Sequence, residues 1–276
     1  MNLINSLPNY QVQKSINNGD SYFFTVYSFH TICDETTSSN YVLHSFKYGR
    51  ISHFDSNWNF LNYHNVFYPN FMLGINDSST FKIFVSTQYG IYSFDRNLNF
   101  LKLSSNSSIN YKRMYYNSSA DHLLVCCKNY QRIDVFDHSL TFIKSISTNT
   151  YYPIDIDVYN DLMFVSTSSN SILVYQNETF LSLITTFCSS IKTSIIDQTG
   201  NMAVLCSSDV IYIYSCNGSY LGVKWTSIVP DLVDLSFDSK GNLALVGLNG
   251  VFLLNSQSSS KTNSGVSHDL SCIINS

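Results

Sequence analysis

LVCCKNYQRIDVFDHSLTFI, residues 124–143, reads as an apolar run, a short polar turn, a second apolar run closed by Phe136, another turn, and then Phe142. The same text returns at 84–101 (FVSTQYGIYSFDRNLNFL), 164–181 (FVSTSSNSILVYQNETFL) and 204–221 (VLCSSDVIYIYSCNGSYL). A unit of about forty residues, made of short β-branched and aromatic runs, indicates a β-propeller.

Working outward, one aromatic position recurs as Phe54, Phe94, Phe136, Tyr175 and Tyr214, with Leu254 in the last unit. A second recurs as Phe60, Phe100, Phe142, Phe180 and Tyr220, five or six residues later. The gap is nearly fixed because a one-residue slip turns every side chain of a strand over. Val85, Val125, Val165, Leu205 and Val246 mark a second strand, buried between neighbouring units. Four strands per unit and six units predict an all-β, six-bladed propeller of four-stranded antiparallel blades. The blades are expected over about 21–65, 66–103, 108–146, 151–186, 188–226 and 229–256, in a single domain spanning 1–276. The last unit shows no fourth-strand aromatic after Leu254. Residues 8–16 (PNYQVQKSI), similar in text to LTFIKSI at 140–146, are expected to close it and shield the open edge. Residues 257–276 read as a Ser-rich tail.

Composition narrows the function classes. Charged residues are only 12%, net charge is −4, and the fifteen Lys and Arg do not cluster. Phosphate-backbone binding needs a basic patch, so nucleic acid is not an expected partner. No leader-like segment and no eighteen-residue apolar run are present, which predicts no membrane span and a cytoplasmic protein, or an extracellular one if a leader is missing from the sequence; a monomer is expected. Cys126, Cys127 and Cys206 fall in second strands, where they are expected as reduced, buried thiols. Five N-x-S/T sequons occur (Asn76, Asn106, Asn117, Asn177, Asn217), a number that an Asn- and Ser-rich chain produces by chance.

Two hairpins carry D-x-x-G-N followed by an apolar residue, at Asp197–Met202 and Asp238–Leu243. With the strand that follows and the VFD at 135–137, the chain from 40 to 255 resembles the NHL-repeat family of six-bladed propellers. The second to fourth hairpins lack the glycine, and the family's N-x-R-[IV] text matches only at Asn129–Ile133, with one residue inserted. The resemblance implies protein-binding platforms, some RNA binders, and one amidating lyase that uses histidine-bound zinc in the channel.

Chemistry in the channel is the rival expectation: a hydrolase or lyase with a metal or carboxylate site. The seven histidines, His30, His44, His53, His64, His122, His138 and His268, do not share inner-strand positions. Asp155 and Asp157 alternate on one inner strand and Asp234 lies on another. They are expected to line a wet channel or hold a cation. No nucleophile elbow, phosphate loop or C-x-x-C is present, so no catalytic residue, metal ligand or cofactor is assigned. The candidate site is a surface for a protein or peptide. Tyr48, Tyr89 and Tyr130 sit at turns between second and third strands, Arg50 and Arg132 follow two of them, and Tyr151 and Tyr152 lie with Phe67 and Tyr68 in the loops before inner strands. Tyrosine and arginine are enriched at interfaces, and loops on rigid scaffolds commonly carry binding.

Overall fold

A computed structural model describes residues 28–34, 37–45, 48–57, 59–77, 80–105, 109–225, 232–237, 243–247, 250–254 and 270–272. Among them every regular element is a strand. The strands form six four-stranded antiparallel sheets, spanning 28–67, 69–105, 111–147, 153–185, 191–225 and 232–272. In each, the strands pair in sequence order, which short hairpins permit. The first strands are Ser28–Asp34, Pro69–Asp77, Tyr111–Asn117, Pro153–Tyr159, Ile191–Ile196 and Leu232–Phe237. Each touches the next, and the last touches the first, so they surround a central channel.

The core lies between sheets. Met72, Phe81 and Val85 of the second sheet pack on Tyr41, Leu43 and Ile51 of the first, and the pattern repeats around the molecule. Val85, Val125, Val165 and Leu205 are fully buried, as a strand with a neighbour on both faces requires.

The spacing of the two aromatics has a local cause. Phe54–Phe60, Phe94–Phe100, Phe136–Phe142, Tyr175–Phe180 and Tyr214–Tyr220 are cross-strand partners, each beside a register shift between third and fourth strands. Their rings meet edge-on or tilted with centroids 5.8–6.2 Å apart. Such pairs add about 0.5–1.5 kcal/mol beyond area burial. The first ring of each pair is buried and the second is about half exposed, so the fourth strand forms the outer wall. The connecting turns need little glycine because Asp55, Asp95 and Asp137 each accept two backbone N–H bonds through Oδ1. Leu98 and Leu140 take the positive-φ position of two of these turns and bury their side chains in the core.

The last sheet is completed from the C-terminal side among the described residues. Its outer position is taken by Leu270–Cys272, which pairs with Gly250–Leu254 through Leu270 and Leu254. Residues 8–16, expected there, lie outside the described residues. This short strand lies within the segment that reads from the sequence as a Ser-rich tail.

Candidate functional site

In the second to fifth sheets two loops run side by side at one face of the ring. Backbone bonds tie them: Gln88 N–H to Tyr68 O, Lys128 N–H to Asn110 O, Ser168 N–H to Tyr152 O and Ser207 N–H to Ser190 O, at 2.9–3.3 Å. Side chains brace them further. Thr87 Oγ1 accepts from the Tyr89 N–H and donates to Gly90 O, both at 3.0 Å. Gly90 adopts φ +152°, and a Cβ there would stand 2.4 Å from Ser104 O, so only glycine fits this turn. Thr148 Oγ1 donates to Tyr151 O at 2.7 Å in the loop that leads to Pro153.

Tyr89, Tyr130 and Tyr152 project from these braced loops and are 45%, 47% and 44% exposed. The Tyr89 ring meets Tyr68 edge-on at 5.7 Å. The other expected site residues divide differently. Tyr48 begins the strand Tyr48–Phe54 and pairs with Phe67; its side chain lies outside the described residues. Tyr151 is half-buried against the core between the third and fourth sheets. Arg50 stacks over Tyr63 of the outer strand at 5.7 Å and does not join the tyrosine loops.

Arg132 is committed inward. Its Nε lies 2.8 Å from Asp134 Oδ1, and Nη2 donates to Oδ2 at 3.2 Å. Asp134 is fully buried and also accepts from Ser145 Oγ at 2.7 Å and Tyr111 Oη at 3.1 Å. Burial opposes the charge on Arg132, but the hydrogen bond and charge of Asp134 outweigh it and raise its pKa. The guanidinium then carries the Tyr130 ring at 5.2 Å, so Arg132 positions that tyrosine.

The channel holds a second constellation. Arg113 Nε lies 3.1 Å from Asp155 Oδ1, and Nη1 lies 2.6 Å from Asp234 Oδ1 and donates to Thr193 Oγ1 at 3.1 Å. Thr193 Oγ1 donates to Asp155 Oδ2 at 2.5 Å, and the Ser194 N–H reaches the same oxygen at 3.0 Å. The Phe71 ring lies under the guanidinium at 4.8 Å. Phe71, Arg113, Asp155, Thr193 and Asp234 come from five different inner strands, and each stands at or next to the same register shift against its second strand. In these five sheets the bulge turns one side chain to the axis.

Burial pushes the Asp155 carboxyl up, and Arg113 opposes that rise. Burial would lower the Arg113 pKa, but Asp155 and Asp234 outweigh it. Asp157, one turn of the pleat further on, is pushed up to about 6 by burial, while the Ile196 N–H at 2.9 Å draws it down. Asp155 and Asp234 are therefore ion-paired, where the sequence suggests a wet lining or a cation. Arg113 was not singled out from the sequence, although Phe71, Arg113 and Asp155 are evenly spaced at 42 residues.

Among the described residues no three His, Cys, Asp or Glu side chains converge as metal ligands. His53 stacks on Tyr41, His64 lies against Phe94, and His138 pairs with Asp121 in an exposed turn. Cys188 and Cys206 form a disulfide, which corrects the expectation of a reduced Cys206; Cys126 and Cys127 are free and buried. No helix among the described residues is long and apolar enough to cross a membrane.

The architecture places the chain among the β-propellers. BBS1N, crystallised in complex with ARL6DN, superposes with a TM-score of 0.67 at 14% identity, over 87% of this chain and 81% of that one. In all, 1302 solved chains match in shape, so the likeness marks a widely shared fold and not a particular activity. No protein-family model matches the sequence, NHL repeats included. No curated protein matches it either.

Proposed function

We propose that this chain is a six-bladed, non-enzymatic platform that docks a protein or peptide on the loop face bearing Tyr89, Tyr130 and Tyr152. The observation that carries the proposal is the half exposure of three tyrosines on loops fixed by backbone and threonine hydrogen bonds. A rigid amphipathic ring loses little entropy on binding and supplies a large contact. Asp155 and Asp234 are bound to Arg113, which leaves no free carboxylate pair between them for general acid–base work. BBS1N is itself crystallised with a protein, ARL6DN, which is consistent with a propeller used as a platform.

The test compares the full chain with a Tyr89→Ala, Tyr130→Ala, Tyr152→Ala variant as bait in lysate from its own cells. Exposed positions of this kind change stability by within about 0.5 kcal/mol each. The variant is expected to fold normally and lose partners that the unaltered chain retains, by roughly thirtyfold in affinity for each hot-spot ring. Equal recovery of the same partners by both baits would remove this face as the site.

A further inference from the structure

Lys112 and Lys192 are the second residues of two inner strands in the same register, since Tyr111 pairs with Cys127 and Ile191 with Cys206. Three residues after Cys206 comes Asp209, and Lys192 Nζ sits 2.5 Å from its Oδ1 and 2.9 Å from Leu232 O. Three residues after Cys127 comes Tyr130, and the same loop brings Lys128. Lys112 Nζ thus donates to a neutral acceptor, Asn70 Oδ1, at 2.8 Å. Asn70 is fixed there by its own Nδ2 bonds to Tyr111 O at 2.7 Å and Asn110 Oδ1 at 3.1 Å. Among the described residues no carboxylate pairs with Lys112 or Lys128. Burial, then the charge of Lys128, lower the Lys112 ammonium to about 8.

We propose that Lys112 and Lys128 form an anion site at the channel mouth, and that it receives a side-chain carboxylate from an acidic segment of the partner. The proposal rests on the docking face argued above. Lys112 is already desolvated without a counter-charge, so an incoming carboxylate gains the attraction while only its own desolvation remains to be met. Two lysines beside tyrosines suit an acidic peptide. A nucleic acid requires a longer basic track, and the chain carries a net charge of −4.

The probe is fluorescein-labelled octaglutamate, with octaglutamine as its neutral control, followed by anisotropy at pH 7 and low salt. Octaglutamate is expected to bind and octaglutamine not. Lys112→Met and Lys128→Gln are each expected to weaken binding at least tenfold, and Lys112→Arg to retain it. Lys144→Gln, which removes the same charge from the outer strand of the same sheet, should stay within twofold. Lys112→Met should melt no lower than the unaltered protein at pH 7, so a loss of binding is not a loss of fold. Octaglutamate binding that survives Lys112→Met, or falls equally with Lys144→Gln, overturns the site. Inorganic phosphate binding without octaglutamate binding overturns the acidic segment. Partner capture that persists in Lys112→Met while octaglutamate binding is lost overturns the acidic partner and leaves the tyrosine face standing. Capture that persists in the triple tyrosine variant removes the docking face itself.

Discussion

Arg113 crosses the channel to Asp234: Nη1 lies 2.6 Å from Oδ1 between residues 121 apart in sequence. The same guanidinium holds Asp155, so one cation ties the third sheet to the fourth and the sixth. Arg113→Met removes the cation that two buried carboxylates share. Breaking such a network costs about 3–5 kcal/mol. Denaturant unfolding at pH 7 should show that loss, and Asp155→Asn with Asp234→Asn should recover part of it. A loss below about 1 kcal/mol would mean the channel ions are solvated.

Asp157 makes stability fall as pH rises. Its folded pKa, about 6, lies above the unfolded 3.8, so the folded state binds more protons between them. The benefit is complete below pH 4 and is lost as pH climbs through 6; Asp155, also raised, acts in the same sense. Asp157→Asn should therefore melt higher than the unaltered chain at pH 7.5, by on the order of 1–2 kcal/mol given its partial contact with channel water. The two should converge below pH 4. A constant difference across this range would contradict the assignment.

The Cys188–Cys206 bridge closes a loop of 18 residues between the lead into the fifth inner strand and the second strand of that sheet. Loop closure of that length is worth about 3 kcal/mol. Thermal melts with and without a reducing agent should differ accordingly, and Cys188→Ser should lose that dependence. Equal melts in both conditions would show that the bridge does not form in solution.

Much of the ring was legible because each blade repeats the same physical problem. The aromatic pairs and the buried valines must return every forty residues, and they do so in the text. The Asp55, Asp95 and Asp137 turns are readable for the same reason. Residues that act across sheets are harder to see. Arg113 meets Asp234 through a bulge that alternation alone does not reveal. Arg132 reads as a surface anchor, yet Asp134, two residues on and on the same face of the strand, claims it. Arg50 turns to Tyr63 on the outer strand, which turn position does not specify.

Asn160 and Asp161 form a two-residue hairpin with φ of 47° and 62° between Tyr159 and Leu162. Both residues are left-handed, a conformation that costs a non-glycine residue about 1 kcal/mol, and Asn-Gly is the favoured pair for it. Asp161→Gly should stabilise the protein by about 0.5–1 kcal/mol, seen as a higher melting temperature. A lower melting temperature would point to a role for the Asp161 side chain in holding the turn.

The docking face is tested most directly by site-specific photocrosslinking in the cells that make the protein. A benzophenone side chain is placed singly at Tyr89, Tyr130 or Tyr152, and for comparison at Phe100 or Phe180 on the outer wall, which are equally exposed. We predict that the three loop positions crosslink to a common protein partner and the outer-wall positions do not. Crosslinks confined to Phe100 and Phe180, with none at the loop tyrosines, would contradict the account.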